Sequence, residues 1–157
     1  MPRYLRWYFL SLLVIVLDYL SKLAVLGRFA PGESRALAPF FNLVLVFNKG
    51  AAFSFLASAQ GWQTPFFAAI AVVASAVVGF LIFRNPGKNL FCTGLALILG
   101  GALGNLYDRL AYGHVVDFLD VHAAGWHWPA FNIADSAITL GAGILIVESF
   151  LQRGEGR

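Results

Sequence analysis

The chain has 157 residues, of which 59% are hydrophobic and only 12% charged, with a mean hydropathy of +0.74. Soluble domains carry about a quarter charged residues, so this composition excludes an ordinary water-soluble fold and points to a single membrane domain over residues 1–157. The formal charge of +3 is scattered, and without a basic run it offers no face for nucleic acid.

The first apolar run, about residues 5–26, is long enough for a spanning helix, which needs roughly 20 mostly apolar residues. Arg3 and Arg6 precede it as in a signal peptide, but Asp18 and Lys22 are foreign to a signal-peptide core, so it is read as a retained helix. An outer segment follows, about residues 27–64. Within it, residues 40–47 are apolar but too short to cross. Their β-branched and aromatic content, ended by Asn48-Lys49-Gly50, predicts a strand and turn at the membrane surface. The second span covers about residues 65–83 and the third about 90–107. Cys92 is the lone cysteine and lies within the third. It permits no disulfide or cysteine-based metal site inside one chain and reads as a small buried hydrophobe. A second outer segment, about residues 108–130, leads to the fourth span at about 131–151.

Lys and Arg near the spans set orientation. Arg3, Arg6, Arg84, Lys88, Arg153 and Arg157 fall on one side, which marks the cytoplasm. The two long loops hold Arg28, Arg35, Lys49 and Arg109 against Glu33, Asp108, Asp117 and Asp120. Both termini are therefore expected inside, with Trp62, Trp126 and Trp128 near the outer interface.

With that topology the polar residues gather toward the outer leaflet. Ser11, Asp18 and Lys22 share one face of the first helix. The third helix ends in the run from Gly100 to Arg109, and the first turns of the fourth carry Asn132, Asp135, Ser136 and Thr139. Asn48 and Asp117 come from the outer segments. A charge at mid-membrane costs about 2.5–3.5 kcal/mol on insertion scales, so such residues usually face the bundle interior and mark function. Gly100 and Gly104 have the small-xxx-small spacing of close helix contacts. Plainer readings stand beside these. Asp18 and Lys22 can neutralise each other as an i, i+4 pair, Asn105 and Arg109 can be ordinary helix-end residues, and Asp120 reads as a solvated loop residue. His114, His122 and His127 lack a metal-ligand spacing, and no metal or cofactor is expected.

Five motifs follow one another along the chain: Asp18-Tyr19-Leu20-Ser21-Lys22, Asn48-Lys49-Gly50-Ala51-Ala52-Phe53, Gly100 through Arg109, Val115-Val116-Asp117-Phe118, and Phe131-Asn132-Ile133-Ala134-Asp135-Ser136. In this order and spacing they closely resemble lipoprotein signal peptidase, the bacterial signal peptidase II, from Asp18 to about Leu140. The resemblance implies an all-α membrane fold of four transmembrane helices. A small extended segment and a short helix between the third and fourth spans would lie on the periplasmic side. It implies an aspartic endopeptidase of the bacterial inner membrane that cuts a prolipoprotein just before its diacylglyceryl-bearing cysteine. Asp117 and Asp135 match the catalytic pair, and Asn48, Asn105, Arg109 and Asn132 match residues lining the site. Asp18 matches a residue important to the family, and Gly50 and Lys22 lie inside the matching motifs as supporting positions.

Two carboxyls suffice for peptide hydrolysis when one is ionised to activate water and the other is protonated to give a proton to the leaving nitrogen. The expected partners are the lipid-modified prolipoprotein and membrane lipids, with the protein a monomer. Two other readings remain open: a small transporter or proton-relay protein built on Asp18, Lys22, Asp108 and Asp135, and a structural or assembly protein whose acids serve helix packing.

Overall fold

The structure, a computed structural model, describes residues 2–50 and 62–155, with side chains up to Gln152. Ala51-Ala52-Phe53 of the second motif, the rest of the outer segment up to Gly61, and Arg157 lie outside the described residues. Four helices are long and apolar enough to cross a membrane: α1 (Leu5–Leu26), α2 (Gln63–Arg84), α3 (Asn89–Tyr112) and α4 (Ile133–Glu155). At about 1.5 Å per residue, the 22 residues of α1 match a hydrocarbon core of about 30 Å. Buried Trp7, Ser11, Val14, Asp18, Lys22 and Val25 recur every three or four residues of α1, tracing the stripe that faces the bundle. Leu12, Leu13, Val16 and Leu20 point outward, as lipid contact requires.

The central helix is α3, with 56% of its apolar window buried against 11% for α2. Glycine makes that centrality possible. A Cβ on Gly101 would run into the Ala134 carbonyl oxygen of α4, and one on Gly100 would lie 2.7 Å from the Ser11 carbonyl oxygen of α1. Lower down, Gly94 and Gly141 press on each other's carbonyls in the same way. Van der Waals contact at backbone distance takes the place of the hydrophobic effect, which is absent between helices in lipid.

At one end of the bundle sits an antiparallel sheet of β1 (Ser34–Ala38), β2 (Phe41–Asn48), β3 (Val115–Ala123) and β4 (Trp126–His127), in that spatial order. Val25 at the end of α1 joins Leu45, Val116 and Phe118 in a small core that fixes the sheet to the helices. The opposite end is tied by Arg6, which donates to Asn89 Oδ1 at 2.7 Å, and by the Trp7 indole, which donates to the Pro86 carbonyl.

Four helices and a strand at residues 40–47 agree with expectation, but the second outer segment does not. The short helix expected between the third and fourth spans is instead strand β3 with the stub β4. Its sequence, Val115-Val116-Asp117-Phe118-Leu119-Asp120-Val121, is β-branched and aromatic, and β2 supplies a ladder for it. The third helix also runs past the expected end of its span at about residue 107 and continues beyond Arg109 to Tyr112. It stops at Gly113, whose φ of +74° is the left-handed conformation glycine adopts at helix ends.

Gly101→Ala is expected to lower thermal stability by about 1–3 kcal/mol, because its neighbour is a rigid carbonyl of α4. Gly79→Ala, with nothing within 4 Å of the new carbon, is expected to leave it unchanged or slightly raised. Thermal unfolding of the two variants in detergent checks this; equal losses would contradict the packing role of the glycines in α3.

Candidate active site

The site begins with the way α4 starts. Asn132 precedes the helix, and its Oδ1 accepts the Asp135 N–H at 2.9 Å, while Asp135 Oδ2 accepts the Asn132 N–H at 3.3 Å. This is the reciprocal arrangement of a capping box, with Asn and Asp in the usual Ser/Thr and Glu/Gln positions. The cap fixes the Asp135 carboxylate at the helix N-terminus, where the exposed amides favour negative charge.

Asp117 arrives from β3. Val46 pairs with Asp117 and Asn48 with Val115, so Asn48 and Asp117 are diagonal neighbours on one face of the ladder. Asn48 Nδ2 donates to Asp117 Oδ2 at 2.9 Å, and Asn48 Oδ1 accepts the Gly50 N–H at 2.8 Å. Gly50 has φ +103°, and a Cβ there would strike the Phe67 ring at 2.6 Å. Only glycine fits that turn, and the turn aims the Asn48 amide at Asp117.

The two acids meet around Asn132. Its Nδ2 donates to Asp117 Oδ1 at 2.8 Å and also faces Asn105 Oδ1 and the Val116 carbonyl, at 3.1 and 3.2 Å. Asn105 Nδ2 donates to Asp135 Oδ1 at 2.7 Å. The orientation of Asn105 follows from Lys22, whose ammonium lies 3.2 Å from Asn105 Oδ1. Lysine can only donate, so the amide oxygen must face it and the amide nitrogen must face Asp135. Lys22 is itself clamped by Asp18 Oδ2 at 2.7 Å and Asp108 Oδ2 at 2.8 Å, with all three side chains at most 3% exposed. Asp18 and Lys22 thus form the expected i, i+4 pair, but the pair is also wired to α3 and α4.

Asp117 is 1% exposed, and its carboxyl is raised to about 7. Burial is the main cause and the charge of Asp135 the second, while hydrogen bonds from Asn48 and Asn132 and the charge of Lys22 pull the other way. Arg109 donates to the Asn105 carbonyl at 3.2 Å, sits over the Phe67 ring at 5.7 Å, and lies in the field of Asp135, Asp117 and Asp108. Its Nε–H is buried with no acceptor among the described residues. Beside Asp117 opens a cleft of about 340 Å³ lined by Val46, Phe47, Asn48, Lys49, Pro129 and Ala130.

The residues picked out in the sequence therefore converge: Asp117, Asp135, Asn48, Asn105, Asn132, Asp18 and Lys22 form one hydrogen-bonded cluster, with Gly50 and Arg109 at its border. Asp108, which the sequence places at the end of the third helix but not among the site residues, belongs to the cluster. Its signal was its spacing of four from Gly104, on the face of α3 that meets Asp18. Asp120 needs correction as well. It is buried rather than solvated, accepting from Asn42 Nδ2 at 2.8 Å with His127 Nδ1 also at 2.8 Å. Burial acts to raise its carboxyl, but those two partners outweigh it and hold the group below the ordinary range. Among the described residues no three His, Cys, Asp or Glu side chains are grouped to hold a metal ion. Cys92 is buried and donates to the Asn85 carbonyl.

The chain matches the family described as Signal peptidase (SPase) II over residues 10–151. It is 56% identical over 150 residues to the lipoprotein signal peptidase of Paraburkholderia phymatum, covering 96% of this chain and 90% of that one. To the lipoprotein signal peptidase of Ralstonia nicotianae it is 58% identical over 142 residues, covering 90% and 82%. A bacterial membrane enzyme solved by the in meso method at 2.3 Å resolution superposes with a TM-score of 0.85 at 26% identity, over 97% of this chain and 92% of the other. A second, solved in the same way at 1.9 Å, gives 0.80 at 28% identity over 91% of each chain. With its four membrane-length helices and these relatives, the chain belongs to the signal peptidase II family of multi-pass bacterial membrane proteases.

Proposed function

We propose that this protein removes the signal peptide from prolipoproteins, with Asp117 and Asp135 as an aspartic dyad that cuts just before a diacylglyceryl-bearing cysteine. The observation that carries this reading is the joining of two acids, 18 positions apart in sequence, through the single side chain and backbone of Asn132. Nearby like charges resist double ionisation, so the pair holds one proton between them near neutral pH. The ionised member takes a proton from water as the oxygen attacks the scissile carbonyl. The protonated member then supplies a proton to the departing nitrogen. The titration belongs to the pair as a unit.

The surroundings fit that chemistry. Asn48, Asn105 and Asn132 hold the carboxylates without adding charge, and a cleft opens beside Asp117. The Arg109 Nε–H, which has no acceptor among the described residues, offers a donor for a carbonyl of the peptide or its lipid ester. Arg6, Arg84 and Lys88 lie at the end of the bundle away from the sheet, which supports cytoplasmic termini and a site at the periplasmic face. A signal peptide crossing as a helix would then present its cleavage region, anchored by lipid, at the depth of the dyad. The protein is read as working alone, without metal or cofactor.

Asp117→Asn and Asp135→Asn are each expected to lower kcat by at least about a thousandfold, with thermal unfolding near wild type. The assay is cleavage of a purified diacylglyceryl prolipoprotein, with the unlipidated form as the uncut control. Wild-type turnover in either variant would remove that residue from the dyad.

The pH profile gives a second check. The carboxyl of Asp117 is raised to about 7, so the shared proton is present below that pH and lost as pH rises through it. An alkaline limb in kcat/KM near pH 7 is expected. Asn48→Ala removes a hydrogen bond that favours the Asp117 carboxylate, so it is expected to move that limb to higher pH. Movement to lower pH would contradict the assignment.

A further inference from the structure

Two backbone amides are captured by buried carboxylates, and each belongs to the residue just before a member of the dyad. The Ala134 N–H, one position before Asp135, donates to Asp18 Oδ1 at 2.9 Å. The Val116 N–H, one position before Asp117, donates to Asp108 Oδ2 at 3.0 Å. The captors are joined by Lys22, whose ammonium lies 2.7 Å from Asp18 Oδ2 and 2.8 Å from Asp108 Oδ2. Asp18 and Lys22 stand on α1 and Asp108 on α3, so one charge cluster registers the start of β3 against the start of α4.

We propose that Asp108 is a positioning residue for hydrolysis: braced through Lys22 against Asp18, it holds the Val116 amide and so fixes where Asp117 stands relative to Asp135. The inference rests on the dyad reading of the previous subsection. Its physical basis is directional. Val115 and Val116 are buried, and the ladder to β2, which pairs Asn48 with Val115 and Val46 with Asp117, holds one edge of the strand. The Asp108 bond adds a side-chain grip on the Val116 amide, one residue from the reacting carboxyl and two residues after the chain leaves the turn at Gly113-His114. The Val116 carbonyl is engaged too, by Asn132, so both of its polar groups are fixed to the site. A single oxygen of Asp108 serves both Lys22 and Val116, so the brace and the amide grip cannot move independently.

The test compares Asp108→Ala, Asp108→Asn and Asp117→Asn in the full-length purified protein, acting on a diacylglyceryl prolipoprotein. Rates are taken per folded molecule, with folding followed by gel filtration and thermal unfolding. Misplacing a reacting group by about 1 Å costs about 100-fold, so Asp108→Ala is expected to lower kcat by about 10- to 100-fold with KM nearly unchanged. Asp108→Asn retains an oxygen able to accept from both partners and is expected to recover most of that rate. It also leaves Lys22 with one counter-charge fewer, which strengthens its pull on Asp117, so the alkaline limb is expected to move to lower pH. Asp135, Arg109 and Lys49, the other charged groups near Asp117, are untouched.

Wild-type kcat in Asp108→Ala, an effect on KM alone, or an Asp108→Asn variant as slow as Asp108→Ala would overturn the proposal. If Asp108→Ala does not fold, the limb in Asp108→Asn decides: a downward move supports the brace and an unmoved limb overturns it. Activity in Asp117→Asn would instead overturn the dyad, and that outcome is separate from every result at position 108.

Discussion

A buried ammonium between two buried carboxylates is the constraint on which this molecule is organised. Within a bilayer an ionised side chain must find partners or leave, and Lys22 finds Asp18, Asp108 and Asn105 at once. Those partners lie on two helices, and one of them reaches a third through the Ala134 amide. The apolar packing of the bundle brings the helices into contact, most closely at the glycines of α3, but supplies no directional bond between them. The charge cluster supplies such bonds and, with them, a coordinate.

From that coordinate the rest of the site follows. The height of α4 sets its capping Asn132, and that residue reaches Asp117 on one side and Asp135 on the other. The sheet end is set by Gly50 and Asn48, whose turn would be strained with any side chain against Phe67. Two acids from different architectures, a strand and a helix start, thus meet without a rigid element between them. The glycines of α3 let this happen at backbone distance.

Much of this was legible in the chain itself. Four apolar runs of membrane length gave the helices, because bilayer thickness leaves few alternatives. The spacing of Ser11, Asp18 and Lys22 gave a buried polar face on α1 by periodicity alone. Asp117 and Asp135 were identifiable by their motifs, but their meeting was not, since it depends on a sheet whose register is set by pairing across 69 positions. The second outer segment was misread because its strand character becomes decisive only with β2 beside it. Asp120 was misread because its burial depends on Asn42 from that same neighbour and on His127 beyond the hairpin. The capping box was present as Asn132-Ile133-Ala134-Asp135, and its distance from the common Ser/Thr form hid it.

The spacing of Asp18 and Lys22 also bears on how such a molecule is made. Synthesis runs from the N-terminus, so α1 is made before α3 and α4. Four residues of separation let the cation and anion neutralise each other within that single helix, so it need not await its later neighbours. Asp108 arrives afterwards, on a helix that meets a positive charge already seated in the membrane. The order of the residues along the chain is therefore also a workable order of assembly.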